Sequence, residues 1–326
     1  MAREMMFAEA MAAAIMEEMH RDPDVVFYGQ NMAMTERDPF LKRFGKERVR
    51  ITPISETAEI GAGIGAAMTG LRPIVELYMN EFMLVAFNQV INEAPRLRYM
   101  SGGQVKVPLV LKAGFGFAAG WAGQHSNCLY HTMMGIPGLK VAMPSTPADA
   151  KGLLTAAIRD DNPVVYLHHY MLMLDKGEVP EGDYVVPFGL ADIKRAGTDV
   201  TIVATAWMVK KSLAAAEELA NEGISAEVVD PRTLAPLDVK TIVESVKKTG
   251  RLVLVDQAPR QSSAAAVIAG EVAEHGFEYL KAPVRMVTAL DTPIPYSEPL
   301  ERYVLPDEEK IMRAVRSVVS RQSAGA

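Results

Sequence analysis

The sequence predicts an α/β protein of two doubly wound domains, and three observations lead there. Short, near-continuous apolar runs alternate with helical patterns along most of the 326 residues. Such alternation marks βαβ units around a mostly parallel sheet covered on both faces. Glycine stands just past three helical patterns, at Gly223, Gly250 and Gly276, where a C′ residue belongs. Between Asp175 and Phe188 the chain turns to Lys, Gly, Glu, Pro and Asp without helical period, which suggests an inter-domain linker. The expected division is a first domain over 1–175, a linker over 176–188 and a smaller domain over 189–326.

In order, Met1 to His20 reads as an amphipathic helix. Its acids Glu4, Glu9, Glu17 and Glu18 argue against a signal or transit peptide. Val25 to Gln30 is a strand broken at Gly29, and Arg72 to Tyr78 is the next. Phe82 to Tyr99 carries apolar residues at helical spacing, and Val107–Ala113, Leu139–Met143 and Pro163–His168 read as strands. Thr146-Pro-Ala-Asp149 is a helix start, with Thr as N-cap and Pro at the first helical position. In the second domain, strands over 199–206, 226–230, 251–256 and 284–290 alternate with helices over 208–222, 238–248 and 262–274. A final helix spans 307–319.

Net charge is −6 and no Lys/Arg run stands out, which argues against nucleic acid or an anionic membrane as partner. No uncharged apolar run is long enough for a membrane span. The single cysteine, Cys128, rules out an internal disulfide and fits a reducing, cytoplasmic compartment.

The chain is organised around Thr52 to Gly70. Ser55 occupies an N-cap position, and Glu56 and Glu59 fall in the first turn, where the macrodipole favours carboxylates. Gly61, Gly63 and Gly65 follow, each costing ~1 kcal/mol relative to Ala inside a helix. So weak a helix is expected to be buried, with another backbone packed close against it, and Glu56 would be carried inward, where a carboxylate needs a partner. The plainer alternative is a solvated Glu complementing the dipole. Gly61-x-Gly63-x-x-Ala66 nearly matches a dinucleotide fingerprint, but its glycines fall within the helix instead of the preceding turn. A second unusual stretch, Gly114 to Ser126, follows a strand, is rich in glycine and ends near His125, a candidate for proton transfer or stabilisation of negative charge. His168-His169 has no second cluster to make it a metal site and reads as a strand end. Neither a Gly-x-Ser-x-Gly elbow nor a His-Glu-x-x-His motif occurs.

Several motifs occur in order: Thr52-Pro-Ile-Ser-Glu56, Ala66-Ala-Met-Thr-Gly-Leu-Arg-Pro73, Arg98-Tyr-Met-Ser-Gly-Gly103, Gln124-His-Ser126, Pro137-Gly-Leu-Lys-Val141, Asp149-Ala-Lys-Gly-Leu-Leu154, Asn162-Pro163 and Pro293-x-Pro-Tyr-Ser297. Together the chain resembles the β subunit of the thiamine-diphosphate-dependent E1 component of 2-oxoacid dehydrogenase complexes, a family that includes pyruvate, branched-chain and acetoin dehydrogenases. The resemblance runs from about Val25 to Val319. It implies a pyrimidine-binding parallel sheet followed by a smaller transketolase C-terminal-like domain.

By that resemblance, Glu56 hydrogen-bonds the aminopyrimidine, Phe82 packs against it, Gln30 lies at the edge of the active site, and His125 stands on the substrate side. Leu109, Ala157, Asp160 and Asn162 match positions that hold a structural potassium ion in some members. The Mg²⁺-and-diphosphate motif, Gly-Asp-Gly with a later Asn, is missing: Gly182-Asp183 is followed by Tyr184. An α subunit carrying that half is therefore implied, in an α₂β₂ heterotetramer that passes acyl groups to a lipoyl-bearing E2 acyltransferase. Departures from the family are Gln30-Asn31 for Glu-Asp, a shorter loop before Phe40, Asp256-Gln257 for Glu-Glu, and His168 for Glu. The substrate, a 2-oxoacid or acetoin, stays open. So do two rival readings: the pyrimidine-binding half of a transketolase or sugar-phosphate synthase, and a catalytically silent assembly subunit.

Overall fold

Residues 2–30, 39–116 and 119–320 are described by a computed structural model. The chain divides into two units, Met1–Phe115 with Thr132–Phe188, and Gly116–His131 with Gly189–Ala326.

The first unit holds strands β1 (Ala2–Met6), β2 (Val25–Gly29), β3 (Val49–Ile51), β4 (Arg72–Met79), β5 (Val110–Phe115), β6 (Lys140–Ala142), β7 (Val164–His169) and β8 (Lys176–Pro180). Six of them run parallel in the order β6-β7-β5-β4-β2-β3. The central strands β5 and β7 are buried at every position, as near-continuous apolar runs require when both faces are covered. From β2 the chain moves outward to β3, then returns to the other side of β2 to form β4. The connections leaving β2 and β4 diverge there, and such a switch point opens a crevice at the carboxyl ends of the strands.

The expected first helix begins late. Ala2–Met6 pairs antiparallel with Lys176–Pro180, and the helix covers Phe7–Arg21. Its first amides donate to Asp175 O (2.9 Å) and Met173 O (3.1 Å). Tertiary pairing overrides the helix propensity of the Ala/Met-rich start, and the front of the presumed linker becomes a strand for the same reason. This helix packs against Pro147–Arg159, where Thr146 caps as expected by accepting from Asp149 N at 3.2 Å. Between the two helices Glu18 is 2% exposed and accepts from Arg159 at 2.6 Å and Arg21 at 2.7 Å. Burial works against the ionised form, yet the two guanidiniums hold this carboxyl below the usual range.

The single helix expected from Phe82 to Tyr99 is instead a 3₁₀ turn Asn80–Leu84, a π turn Gln89–Glu93 and a helix Ala94–Met100. Pro95 has no N–H for the ladder, and Ala94 N reaches back five residues to Gln89 O, the mark of a π bulge.

The second unit holds β9 (Asp192–Arg195), β10 (Val200–Ala204), β11 (Ala226–Asp230), β12 (Thr233–Ala235), β13 (Leu252–Pro259) and β14 (Arg285–Ala289). Its sheet runs β14-β13-β10-β11-β9, parallel except for β9, an edge strand without a sequence signal. Alternate residues of the sheet face different helices. Ile202, Val228 and Val253 meet Leu219, Ile311 and Val315 on one side, and Val203, Val229 and Leu254 meet Ile242, Val246 and Ile268 on the other. Gly250 takes the left-handed conformation (φ 73°) expected after Val239–Thr249, whereas Gly276 does not (φ −145°).

Candidate active site

Three connections leave the carboxyl ends of the neighbouring strands β4, β2 and β3. The 3₁₀ turn after β4 carries Phe82, half-buried. Gln30 directly follows β2, is 7% exposed, and donates its backbone N–H to Glu76 O at 3.2 Å. Asn31 and the shortened loop that follows lie outside the described residues. After β3 comes the glycine helix, Glu56–Met68.

Glu56 opens that helix and is 6% exposed. Among the described residues no hydrogen bond reaches its carboxylate. The helix N-terminus favours the charge. Ser55 holds the N-cap position without a side-chain bond, and its carbonyl accepts from Glu59 N at 2.9 Å.

Glu59, one turn further on, is 3% exposed and fully engaged. Thr52 Oγ1 donates to its Oε1 through a short bond, and Gln30 Nε2 donates to Oε2 at 2.9 Å. Burial pushes this carboxyl above the usual glutamate range, Thr52 and Gln30 pull it back, and the nearby Glu56 charge pushes it up again. Gln30 thus bonds to Glu59, which the sequence reading passed over. The signal was present, because residues three apart share a helix face.

The glycines divide by role. A Cβ on Gly63 would meet Val75 Cγ2 at 2.8 Å, the Tyr28 hydroxyl at 2.9 Å and Leu109 Cδ1 at 3.0 Å, so Gly63 lets the helix lie on the sheet. Gly65 faces open space, and a Cβ on Gly61 would come no nearer than 4.0 Å to Gln89 Cγ. The expected close approach is therefore confined to Gly63 and is made by side chains of the sheet, not by a second backbone. All three glycines lie inside the helix, which is incompatible with a dinucleotide turn.

His125 belongs to the other unit, at the end of Ala122–His125, half-buried and 6.1 Å from the Trp121 ring. In that unit the Tyr130 hydroxyl donates to Asp256 Oδ1 through a short bond. Asp256 also accepts from Ala258 N (2.8 Å) and Ala265 N (3.1 Å).

The four potassium candidates do not form an open cage. Leu109 O accepts from Val164 N at 2.8 Å, and Ala157 O accepts from Asp160 N at 3.3 Å. Lys140 bonds the Asp160 carboxylate, Arg98 bonds Asn162 Oδ1 at 2.6 Å, and Arg72 bonds Asp160 O at 3.1 Å. Lys140, Arg98 and Arg72 thus already use the side-chain and backbone oxygens of Asp160 and Asn162. His168 and His169 end β7 as expected. Burial holds the His168 imidazole well below its usual range, with Lys112 and His169 adding to the effect. Among the described residues no group of His, Cys, Asp and Glu could hold a metal.

The pyrimidine half of thiamine diphosphate fits a carboxylate at a helix head and an aromatic ring on a nearby connection, both at the carboxyl ends of parallel strands. Comparison with known proteins agrees. Residues 3–173 match the transketolase pyrimidine binding domain and residues 189–311 the transketolase C-terminal domain. The chain is 45% identical over 335 residues to the acetoin:2,6-dichlorophenolindophenol oxidoreductase subunit beta of Cupriavidus necator, covering 98% of each. It is 45% identical over 316 residues to the pyruvate dehydrogenase E1 component subunit beta of Rhizobium meliloti, covering 95% of this chain and 69% of that one. A solved structure described as a split gene transketolase, inactive beta4 tetramer, agrees in fold, with a TM-score of 0.79 at 24% identity over 96% of this chain and 98% of that one. The chain therefore belongs to the family of beta subunits of thiamine-diphosphate-dependent 2-oxoacid and acetoin dehydrogenases, built from transketolase-type pyrimidine-binding and C-terminal domains.

Proposed function

We propose that this chain is the β subunit of an E1 enzyme that decarboxylates a 2-oxoacid, or cleaves acetoin, and reductively acylates the lipoyl group of an E2 partner. The observation that carries this reading is the Glu56 carboxylate, buried and open at the head of the glycine helix. Thiamine diphosphate, when bound, supplies the nucleophilic carbon that adds to the substrate carbonyl. Glu56 would hydrogen-bond a pyrimidine ring nitrogen, Phe82 would pack against the ring, and Gln30 would line the edge of the site. His125 stabilises negative charge on the substrate side. The diphosphate and its Mg²⁺ are held mainly by an α subunit in an α₂β₂ assembly, since this chain lacks the Gly-Asp-Gly motif. Exposed apolar side chains beside the site elements, Ile54 (77%), Leu84 (51%) and Val85 (65%), support a covering partner. A cytoplasmic setting accords with a single cysteine, Cys128, which is buried. No described helix is long and apolar enough to cross a membrane.

Co-expression with a candidate α subunit tests this. The complex is expected to bind thiamine diphosphate with Mg²⁺ and to turn over pyruvate or acetoin, whereas calorimetry on the isolated chain should show only weak binding. Turnover of sugar phosphates instead would favour the transketolase-type reading. A complex that assembles but turns over none of these would favour the silent subunit.

A further inference from the structure

In the second unit the chain runs from β10 to β11 on one side and then returns to the other side of β10 to form β13. Doubly wound sheets take their ligands at the carboxyl ends of strands beside such a switch point. Here the strand end meets a piece of the protein itself, the segment Gly116–His131 that carries His125. Asp256 and Gln257, toward the end of β13, both reach that segment. Tyr130, fully buried, donates its hydroxyl to Asp256 Oδ1, and Gln257 Nε2 donates to Gly116 O at 3.4 Å. The Asp256 carboxylate is itself fixed by Ala258 N at 2.8 Å and by Ala265 N at 3.1 Å, the latter in the first turn of the helix Ala264–His275.

The stretch between these two ends is tied to the same unit. Gly120 N donates to Glu301 Oε2 at 3.4 Å, and a Cβ on Gly123 would stand 3.3 Å from Pro293 Cβ and 3.7 Å from Ile294 O. Asn127 Nδ2 closes the turn around His125 by donating to Gly123 O at 2.6 Å. Ala122 holds a left-handed conformation at φ 59°, which a Cβ opposes and which persists only where surrounding contacts impose it. Resting on the role given to His125 above, we propose that Tyr130 and Asp256 are positioning residues: through the loop they anchor, the C-terminal domain sets the place of the His125 imidazole. Only Ser126 to Leu129 separate Tyr130 from His125, so a displaced tyrosine moves the imidazole with it.

The test uses the co-expressed α/β complex with Tyr130→Phe, which removes the hydroxyl and keeps the ring. Amide hydrogen exchange over 119–129 is expected to rise at least about tenfold relative to the core amides of β10. Turnover of pyruvate or acetoin should fall roughly 10- to 100-fold, whereas in a His125→Ala background the same substitution should change it less than about twofold. Loop exchange that rises no more than that of β10, or an equal loss of turnover in both backgrounds, would overturn the proposal, since a merely structural tyrosine acts independently of His125. If Tyr130→Phe fails to assemble, Gln257→Leu, which releases the other end of the segment at Gly116, is read in the same way. A complex without turnover, or one whose turnover survives His125→Ala, would overturn the role given to His125, and loop exchange would still decide whether the domain holds the segment.

Discussion

The two units share an architecture, and each closes most of its buried acids while leaving one short of partners, Glu56 in the first and Glu301, whose Oε1 has no hydrogen bond, in the second. In the second unit, Asp256 accepts from Tyr130, Ala258 and Ala265, and Glu227 accepts from Ser245, Lys248 and Gly197. Asp238 accepts from Thr241 and Ala191. Each of these carboxylates is closed off by its own chain and serves to hold loops and helix ends. In the first unit Glu59 is closed in the same manner, but Glu56 is buried and left open. A saturated buried acid has its desolvation offset within the fold. An unsaturated one keeps its unmet bonds for something the chain does not supply.

Breaking a closed acid should destabilise the chain most. Asp256→Ala strands the Tyr130 hydroxyl and two amides, and is expected to lower stability by about 3 kcal/mol. Denaturant unfolding of the full chain measures this, and a change below about 1 kcal/mol would show that the bonds are replaced by water.

The glycine helix sharpens the comparison at the level of packing. Gly63→Ala forces a methyl group against Val75, Tyr28 and Leu109 and should cost roughly 1–3 kcal/mol. Gly65→Ala meets nothing and should stabilise the isolated chain by up to ~1 kcal/mol. The opposite ranking in thermal melts would mean that the helix lies differently on the sheet.

His168 gives a pH-dependent difference. Its imidazole is kept neutral by burial and by Lys112, so below the unfolded value of about 6.5 the unfolded chain binds a proton that the native chain refuses. Stability attributable to His168 is thus full above that pH and declines as pH falls, by about 1.4 kcal/mol per unit. His168→Gln should flatten the stability curve between roughly pH 7 and 5. An unchanged slope would place the acid sensitivity elsewhere. The smallest effect is expected from potassium: with Lys140, Arg98 and Arg72 on the candidate oxygens, replacing sodium by potassium should leave the melting temperature unchanged, since stabilisation requires binding to the native state.

Much of this was legible in the sequence. The parallel strands announced themselves as apolar runs, Thr146-Pro147 announced its helix, and Glu56 with the glycines marked the organising helix. Local signals decided those elements. What escaped depended on distant partners: Ala2–Met6 becomes a strand only because Lys176–Pro180 lies beside it. The Phe82–Tyr99 region breaks up because Pro95 interrupts a pattern whose spacing looked unbroken. Glu59 was visible as a first-turn acid, but its ties to Thr52 and Gln30 appear only when β2 and β3 are brought side by side. The potassium set was carried by likeness of residue type, and the cations that converge on it come from sequence positions far apart.

The most direct measurement is hydrogen–deuterium exchange at the thiazolium C2 of thiamine diphosphate bound to the co-expressed α/β complex, comparing the unaltered chain with Glu56→Gln. The substituted complex is expected to stay folded and to bind the cofactor, but to exchange roughly 10²–10⁴-fold more slowly, the usual contribution of a positioned acid–base group. Exchange at an unchanged rate in the substituted complex would contradict it.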